Sequence, residues 1–316
     1  MKRIIFMGTP TFGAYILEQL LAAEQNLYEV VAVVSQPDKA VGRKRIVEAT
    51  PVKKVAVAHN LPVLQPNKIR DAYDELASLA PDLIITAAYG QIVPKNILDL
   101  PTYKCINVHG SLLPAYRGGA PIQRAIMDGQ TETGITIMYM AEKMDAGAML
   151  AQRTVPITQE DTQETMFDKL QVVGAEMLLD MLPAFFNGEI TATEQDASLV
   201  TYAPTIKKAE CQIDWTDDAV RIFNKVRALY PQPATFTILD GVQMKLYAIE
   251  VIAEQSAGAP GTIVKVDKKS VHVATGRGNI ALLDLQVSGK KRQTIAEFMG
   301  GMGRSMFVEG GTFENR

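Results

Sequence analysis

Cysteine is nearly missing: Cys105 and Cys211 are the only two in 316 residues. Two thiols build neither a disulfide framework nor a thiolate cage. Histidine is as scarce, with only His59, His109 and His272. No metal site of the His/Cys type is therefore expected. Long apolar runs are absent too, since nothing approaches the roughly 18 consecutive apolar residues of a membrane-spanning helix. The opening "MKRIIFMG" enters an apolar strand pattern at once, without the h-region and cleavage site of a secretory signal. The expectation is a cytoplasmic protein with no membrane association. A large charge excess is also lacking. The net formal charge is −3, which excludes a polycation. The balance is uneven, however. Residues 1–206 carry 17 Lys+Arg and 23 Asp+Glu, whereas residues 207–316 carry 15 and 12. An acidic front beside a basic back is compatible with a polyanionic partner and equally with ordinary surface variation.

What is present is apolar and regularly spaced. Hydrophobic residues make up 47% of the chain, enough for a sizeable core, and the length suits two domains. "RIIFMG", "EVVAVVSQ", "DLIITAAY", "CINVH", "TGITIMYM" and "GAMLAQRTV" read as strands. "TFGAYILEQLLAAEQ", "NKIRDAYDELASLA", "PIQRAIMDG" and the long "TQETMFDKLQVVGAEMLLDMLPAFFNGEI" read as helices. Short apolar strands alternating with helices predict a Rossmann-like α/β domain over residues 1–189, its mostly parallel sheet covered on both faces. Residues 190–206 are polar and aperiodic and read as a linker. Beyond it, a short helix around "DDAVRIFNKVRALY" and five short alternating segments predict a small antiparallel barrel or sandwich over residues 207–316.

Three stretches invite a chemical reading. "GTPTFG" (Gly8 to Gly13) lies between the first strand and the first helix, where dinucleotide folds carry G-x-G-x-x-G. Pro10 replaces the middle glycine, and Ala14 and Tyr15 stand where a phosphate-binding Walker loop needs Lys and Ser/Thr. A tight turn at the edge of a ligand cleft is the better expectation. "DKAVGRKRIVEATPVKK" (Asp38 to Lys54) is too long for the ~2–6 residue connections of such folds. It sets Lys39, Arg43, Lys44, Arg45, Lys53 and Lys54 against Asp38 and Glu48. It is either a phosphate-contacting loop or a solvated one. In "CINVHGSLLPAYRGGAP", Asn107 and His109 are two apart at the end of a strand and so share a face. Open α/β sheets bind ligands at that end. Acyl transfer to an amine fits an Asn and a His with neither metal nor nucleophilic Ser/Cys pair. An oxyanion forms, and an amide or imidazolium hydrogen bond to it contributes about 3–4 kcal/mol. A carboxylate must then orient the His. "MDAGAML" offers Asp145, although an Asp in a turn is commonly only a turn residue.

"INVHGSLLPAYRGGAP", with "YGQIVP" (Tyr89 to Pro94) upstream and "MDAGAML" downstream, resembles the folate-dependent formyltransferases. The resemblance implies that Asn107, His109 and Asp145 form the catalytic trio. It also implies that Ser111, Leu112, Leu113 and Pro114, with Tyr89, Gly90 and Gln91, line the folate site, and that 10-formyltetrahydrofolate is the formyl donor. Similarity continues through "TYAPTIKKAECQIDW", "FNKVRALYPQP", "PGTIV" and "LQVSGKK". That extension implies the family member whose acceptor is the methionine amino group of an initiator methionyl-tRNA. It also implies a C-terminal OB-type barrel that helps to hold the RNA, with Arg43, Lys44 and Arg45 engaging the acceptor stem and Lys207 and Lys208 on the linker side. A monomer is the expectation. One departure stands out: the family commonly has P-x-P-G-A where this chain has Pro231-Gln232-Pro233-Ala234-Thr235. Relatives that formylate a small amine, or release formate to water, would share the trio. A Rossmann-type NAD oxidoreductase is disfavoured by Pro10, and a non-catalytic RNA-binding protein by the intact trio.

Overall fold

The apolar runs become strands where both faces can be buried. The computed structural model describes residues 1–23, 26–41, 46–252 and 258–315. The chain divides into two compact units. One comprises Met1–Pro121, Glu132–Pro156 and Phe167–Pro204, and the other Ile122–Thr131, Ile157–Met166 and Thr205–Arg316.

In chain order, the first part contains β1 (Lys2–Gly8), α1 (Thr11–Ala22), β2 (Tyr28–Val34), β3 (Lys39–Val41), β4 (Ile46–Glu48), α2 (Pro51–Ala58) and β5 (Val63–Leu64). It continues through α3 (Tyr73–Ser78), β6 (Leu83–Ala87), α4 (Lys95–Leu98), β7 (Cys105–His109), α5 (Pro121–Met127), β8 (Glu132–Tyr139), β9 (Met149–Pro156) and α6 (Gln163–Phe186). Seven strands form one sheet in the order β5-β2-β1-β6-β7-β8-β9. It is parallel as far as β7, and β8 and β9 are antiparallel. Ile5, Met7, Ala32, Val34, Ile84 and Cys105 pack on one face with Leu76 and Ile97. By the strand alternation, Ile4, Phe6, Val33, Ile85, Ile106 and Val108 are buried on the other. This is the Rossmann-like architecture that the alternating pattern predicts.

The first turn is closed by protein. A Cβ on Gly13 would lie 2.7 Å from the Ala87 carbonyl oxygen, and one on Gly8 only 3.0 Å from it. These glycines let the turn pack against the end of β6, where Thr9 donates through its hydroxyl to the Tyr89 carbonyl at 2.9 Å.

The stretch 38–54 corrects an expectation. It is not one long loop but a two-stranded hairpin followed by a helix. Thr50 caps α2 by accepting from the Lys53 amide at 3.2 Å, with Pro51 at the first helical position, where its missing N–H costs nothing. Lys53 is tied to Asp38 at 2.6 Å and to Gln65 at 2.7 Å, so its charge is engaged locally. Arg43, Lys44 and Arg45 lie outside the described residues.

The second unit carries α7 (Ala219–Ala228), β10 (Thr235–Leu239), β11 (Val242–Ile252), β12 (Ile263–Val266), β13 (Val271–Ala274), β14 (Asn279–Val287), β15 (Gln293–Thr294) and α8 (Ile295–Met299). Its sheet is antiparallel in the order β10-β11-β14-β13-β12, with β15 on β14. The antiparallel, strand-rich character is the one that the short alternating segments predict. Trp215 is fully buried, stacks on Phe313 at 5.1 Å and donates its indole N–H to Thr237 at 3.0 Å. Ala234 is buried and adopts φ +63°. Among the described residues, no helix is long and apolar enough to cross a membrane.

Candidate active site

The site grows from the register of β7. Asn107 lies opposite Thr86 of β6 on one side and Met138 of β8 on the other. The Thr86 hydroxyl reaches Asn107 Oδ1 at 2.8 Å. That contact occupies the carbonyl end of the amide and leaves its N–H donors for another partner. His109 is only 6% exposed. Its Nε2 lies 3.1 Å from the carbonyl of Tyr116. A carbonyl can only accept, so the Nε2 proton is fixed and the neutral ring keeps its lone pair on Nδ1. Nδ1 stands 3.8 Å from Asp145 Oδ2, an ion-pair distance too long for a direct hydrogen bond. The same carboxylate oxygen accepts from the Gly118 amide at 2.8 Å. Asp145 itself takes φ +50°, a left-handed conformation that Asp tolerates better than most residues. The three residues singled out in the sequence are thus brought together, on β7 and on the turn between β8 and β9.

The "SLLP" loop leaves the same end of β7. Thr136 ties it down, donating to the Ser111 carbonyl at 2.7 Å and accepting from the Leu113 amide at 3.1 Å. Gln152 adds a 2.6 Å bond to the Leu113 carbonyl. Ser111 spends its hydroxyl on the Ala115 carbonyl at 2.7 Å. What this loop leaves accessible is the half-buried apolar surface of Leu112 and Pro114. On the neighbouring loop after β6, Tyr89 turns its ring into the core, and burial of its unpartnered hydroxyl pushes the phenol up to about 12. Gln91 accepts from the Ile69 amide at 2.7 Å. Gly90 is exposed, at φ +89°, and Ile92 is 74% exposed. Lys207 and Lys208 belong to the second unit and are exposed, beside a short 3-10 turn in which the Lys207 amide donates to Glu210 at 2.9 Å. Among the described residues, no three His, Cys, Asp or Glu side chains gather as a metal would require.

The sequence reading missed the supporting residues. Thr86 left a trace, a hydroxyl near the end of an otherwise apolar strand. The Tyr116 carbonyl and the Gly118 amide left none, because main-chain groups carry no sequence signature.

The comparisons with known proteins give the family. The formyl transferase family model matches residues 1–182, and the model of the formyl transferase C-terminal domain matches residues 205–303. The methionyl-tRNA formyltransferase of Streptococcus thermophilus is 48% identical over 310 residues, 98% of each chain. The chain belongs to the methionyl-tRNA formyltransferase family.

Other relatives of this family include that of Listeria innocua, 48% identical over 97% of each chain, and that of Enterococcus faecalis, 47% identical over 97% of this chain and 98% of the other. At the level of fold, the family architecture extends to an N-formyltransferase from Helicobacter canadensis solved with folinic acid and dTDP-3-aminofucose. Its TM-score is 0.67 at 17% identity, over 89% of this chain and 99% of that one. HypX from Aquifex aeolicus, solved with tetrahydrofolic acid, gives a TM-score of 0.63 at 19% identity, over 99% of this chain and 51% of that one.

Proposed function

We propose that this protein transfers the formyl group of 10-formyltetrahydrofolate to the free amino group of methionine on initiator methionyl-tRNA. The observation that carries the chemistry is the pairing of His109 Nδ1 with Asp145 beside an Asn107 amide whose carbonyl end is already engaged. The acceptor follows from family membership along the whole chain. The residues present fit the donor. Apolar surface at Leu112, Pro114 and Ile92 and the hydrogen-bonding groups of Asn107 and His109 lie on loops and strand ends at the carboxyl edge of the parallel sheet.

The donor, when bound, supplies an activated formyl amide. Asn107 Nδ2 is available to donate to the formyl oxygen as negative charge develops there, an interaction of about 3 kcal/mol in such sites. His109 Nδ1 is placed to take a proton from the attacking amine as the new N–C bond forms and to return it to the departing folate nitrogen as the old N–C bond breaks, which leaves tetrahydrofolate. Between the two transfers Asp145 faces an imidazolium and stabilises it, while the Gly118 amide keeps the carboxylate in position. Leu112, Leu113 and Pro114 exclude water from one side. Gly90 contributes main chain, whereas Tyr89 and Gln91 act by holding the loop between β6 and α4. Ser111 acts by shaping its own loop.

Arg43, Lys44 and Arg45 are read as acceptor-stem contacts, and Lys207 and Lys208 as contacts of a C-terminal RNA-binding domain over residues 207–316. The protein acts as a cytoplasmic monomer in this reading. The direct test mixes it with 10-formyltetrahydrofolate and charged initiator tRNA and follows N-formylmethionine after deacylation. Formate released equally with and without tRNA would instead identify a hydrolase.

A further inference from the structure

A glutamine from the aperiodic stretch 190–206 reaches the trio's supports. Gln195 is half-buried. Its Nε2 donates to the carbonyls of Asp145 at 2.9 Å and Gly147 at 2.8 Å. Its Oε1 accepts from Arg117 Nε at 3.1 Å and Nη2 at 2.7 Å. Arg117 is a buried cation, only 5% exposed. Apart from a long contact of Nε2 to Met138 Sδ at 3.9 Å, this amide bonds to two segments, the Asp145 turn and Arg117 of the segment 116–118.

Those two segments are the ones that hold His109. Tyr116 supplies the carbonyl at Nε2, Gly118 supplies the amide that fixes Asp145, and Asp145 faces Nδ1. The backbone of 116–118 is also sewn to residues 201–203. The Tyr116 amide donates to Thr201 Oγ1 at 2.8 Å, the Arg117 amide to the Thr201 carbonyl at 2.9 Å, and the Ala203 amide to the Arg117 carbonyl at 2.7 Å. A Cβ on Gly118 would meet the Ala203 carbonyl at 2.6 Å, so this pairing requires glycine there.

We infer that Gln195 is a positioning residue for catalysis: with Arg117 it forms a clamp that sets the separation between His109 and Asp145. The charge of Arg117 stays protein-bound because the Gln195 carbonyl shares the work of solvating it. The amide of the same side chain then pins the two carbonyls of a turn whose first residue is held at φ +50°. Without the clamp, Asp145 can turn away from Nδ1, and a misplacement of about 1 Å at a catalytic group costs up to ~100-fold in rate.

This inference rests on the reading of Asn107, His109 and Asp145 as catalytic, so its test has one arm that needs no catalysis. Gln195→Glu is the informative variant. A carboxylate keeps, and strengthens, the fork to Arg117, which protects the fold, but it cannot donate to the two turn carbonyls. Amide hydrogen exchange of the full-length variant, without substrates, should show Gly118 exchanging about tenfold or more faster with the central strand β6 unchanged. In steady-state formylation, Gln195→Glu and Gln195→Ala should lower kcat by about 10- to 100-fold and leave KM for the folate within about twofold. In an Asp145→Ala background, adding Gln195→Ala should cost no further rate, since both changes remove the same alignment. Unchanged exchange at Gly118 overturns the clamp whatever the enzyme catalyses. Losses in kcat that multiply across the Gln195 and Asp145 variants show a role in general stability and overturn the positioning assignment.

Discussion

At the scale of the residue, the decisive fact is that the two ring nitrogens of His109 have different roles. The Tyr116 carbonyl holds the Nε2 proton and the Nδ1 lone pair is left to accept one, with Asp145 3.8 Å away, so the ring can neither flip nor exchange tautomers without losing the Nε2 bond. His109→Ala, Asn107→Ala and Asp145→Ala should each lower kcat by roughly 10²–10⁴-fold, and the double variants should fall far short of the product of the single losses. Single-turnover formylation with saturating tRNA checks this, and a near-normal rate in His109→Ala would remove the ring from the chemistry. Two other groups have a consequence for alkaline stability. Burial pushes the Cys105 thiol from 9.0 up to about 12 and the Tyr89 phenol from 10.0 up to about 12. Between those limits the unfolded chain has released protons that the folded chain still holds, so stability is intact below pH 9 and falls as pH rises towards 12. The slope approaches about 1.4 kcal/mol per pH unit for each group. Urea unfolding from pH 8 to 11 should show that loss, and Cys105→Ala should flatten its lower part.

At the scale of the element, the turn around Ala234 sets two terms against each other. A non-glycine residue at φ +63° carries about 1–2 kcal/mol of strain, which glycine would relieve. Glycine would also lose a buried methyl, about 0.8 kcal/mol, and gain unfolded-state freedom of about 0.5–1 kcal/mol. The terms nearly cancel, so Ala234→Gly should shift stability by less than about 1 kcal/mol. Thermal unfolding of the pair of proteins measures it. The β3–β4 hairpin yields a different prediction. If its connecting residues contact phosphates, replacing Arg43, Lys44 and Arg45 by neutral residues should flatten the plot of log tRNA affinity against log salt by about two units, without altering folate binding. An unchanged slope would return RNA contact to the second unit alone. Elements with strong periodicity, such as β1, β6, β7 and α6, were legible because burial repeats along them. The helix α2 is hidden, although Thr50-Pro51 is a start signal, because it is only eight residues long and follows a stretch dense in cations with no apolar period. The stretch 190–206 was aperiodic for a physical reason. Its contacts with the rest of the chain are scattered bridges at Thr193 and at residues 201–203 and the Gln195 side chain, and such contacts impose no repeat on a sequence.

At the scale of the whole molecule, the chain's only tryptophan reports on one unit alone. Trp215 sits in the core built from Ile213, Ile222, Leu246, Ile280 and Phe313. If residues 207–316 form a domain with its own stability, the fluorescence transition in denaturant should not coincide with the far-UV circular dichroism transition, which sums both units. Coincident curves would mean that the two unfold as one. The legibility of the site has a scale as well. Asn107 and His109 could be paired from the two-residue period of a strand, but Asp145 joins them across the β8–β9 turn. Nothing local to "MDAGAML" states which strand end that turn overhangs.

The packed first turn bears on redesign. Its resemblance to a dinucleotide loop suggests a simple conversion, in which Pro10→Gly restores the missing glycine and makes room for a pyrophosphate. The space between Gly8 and Gly13 is already taken, however, by the Ala87 carbonyl and the Val52 side chain, both of which would lie within 3.3 Å of an added Cβ at either glycine. The two glycines serve the protein's own interior. An engineer seeking a new cofactor would have to move β6 and α2 before altering a single residue of the loop, so the scaffold is closed to that swap at the level of backbone, not of sequence.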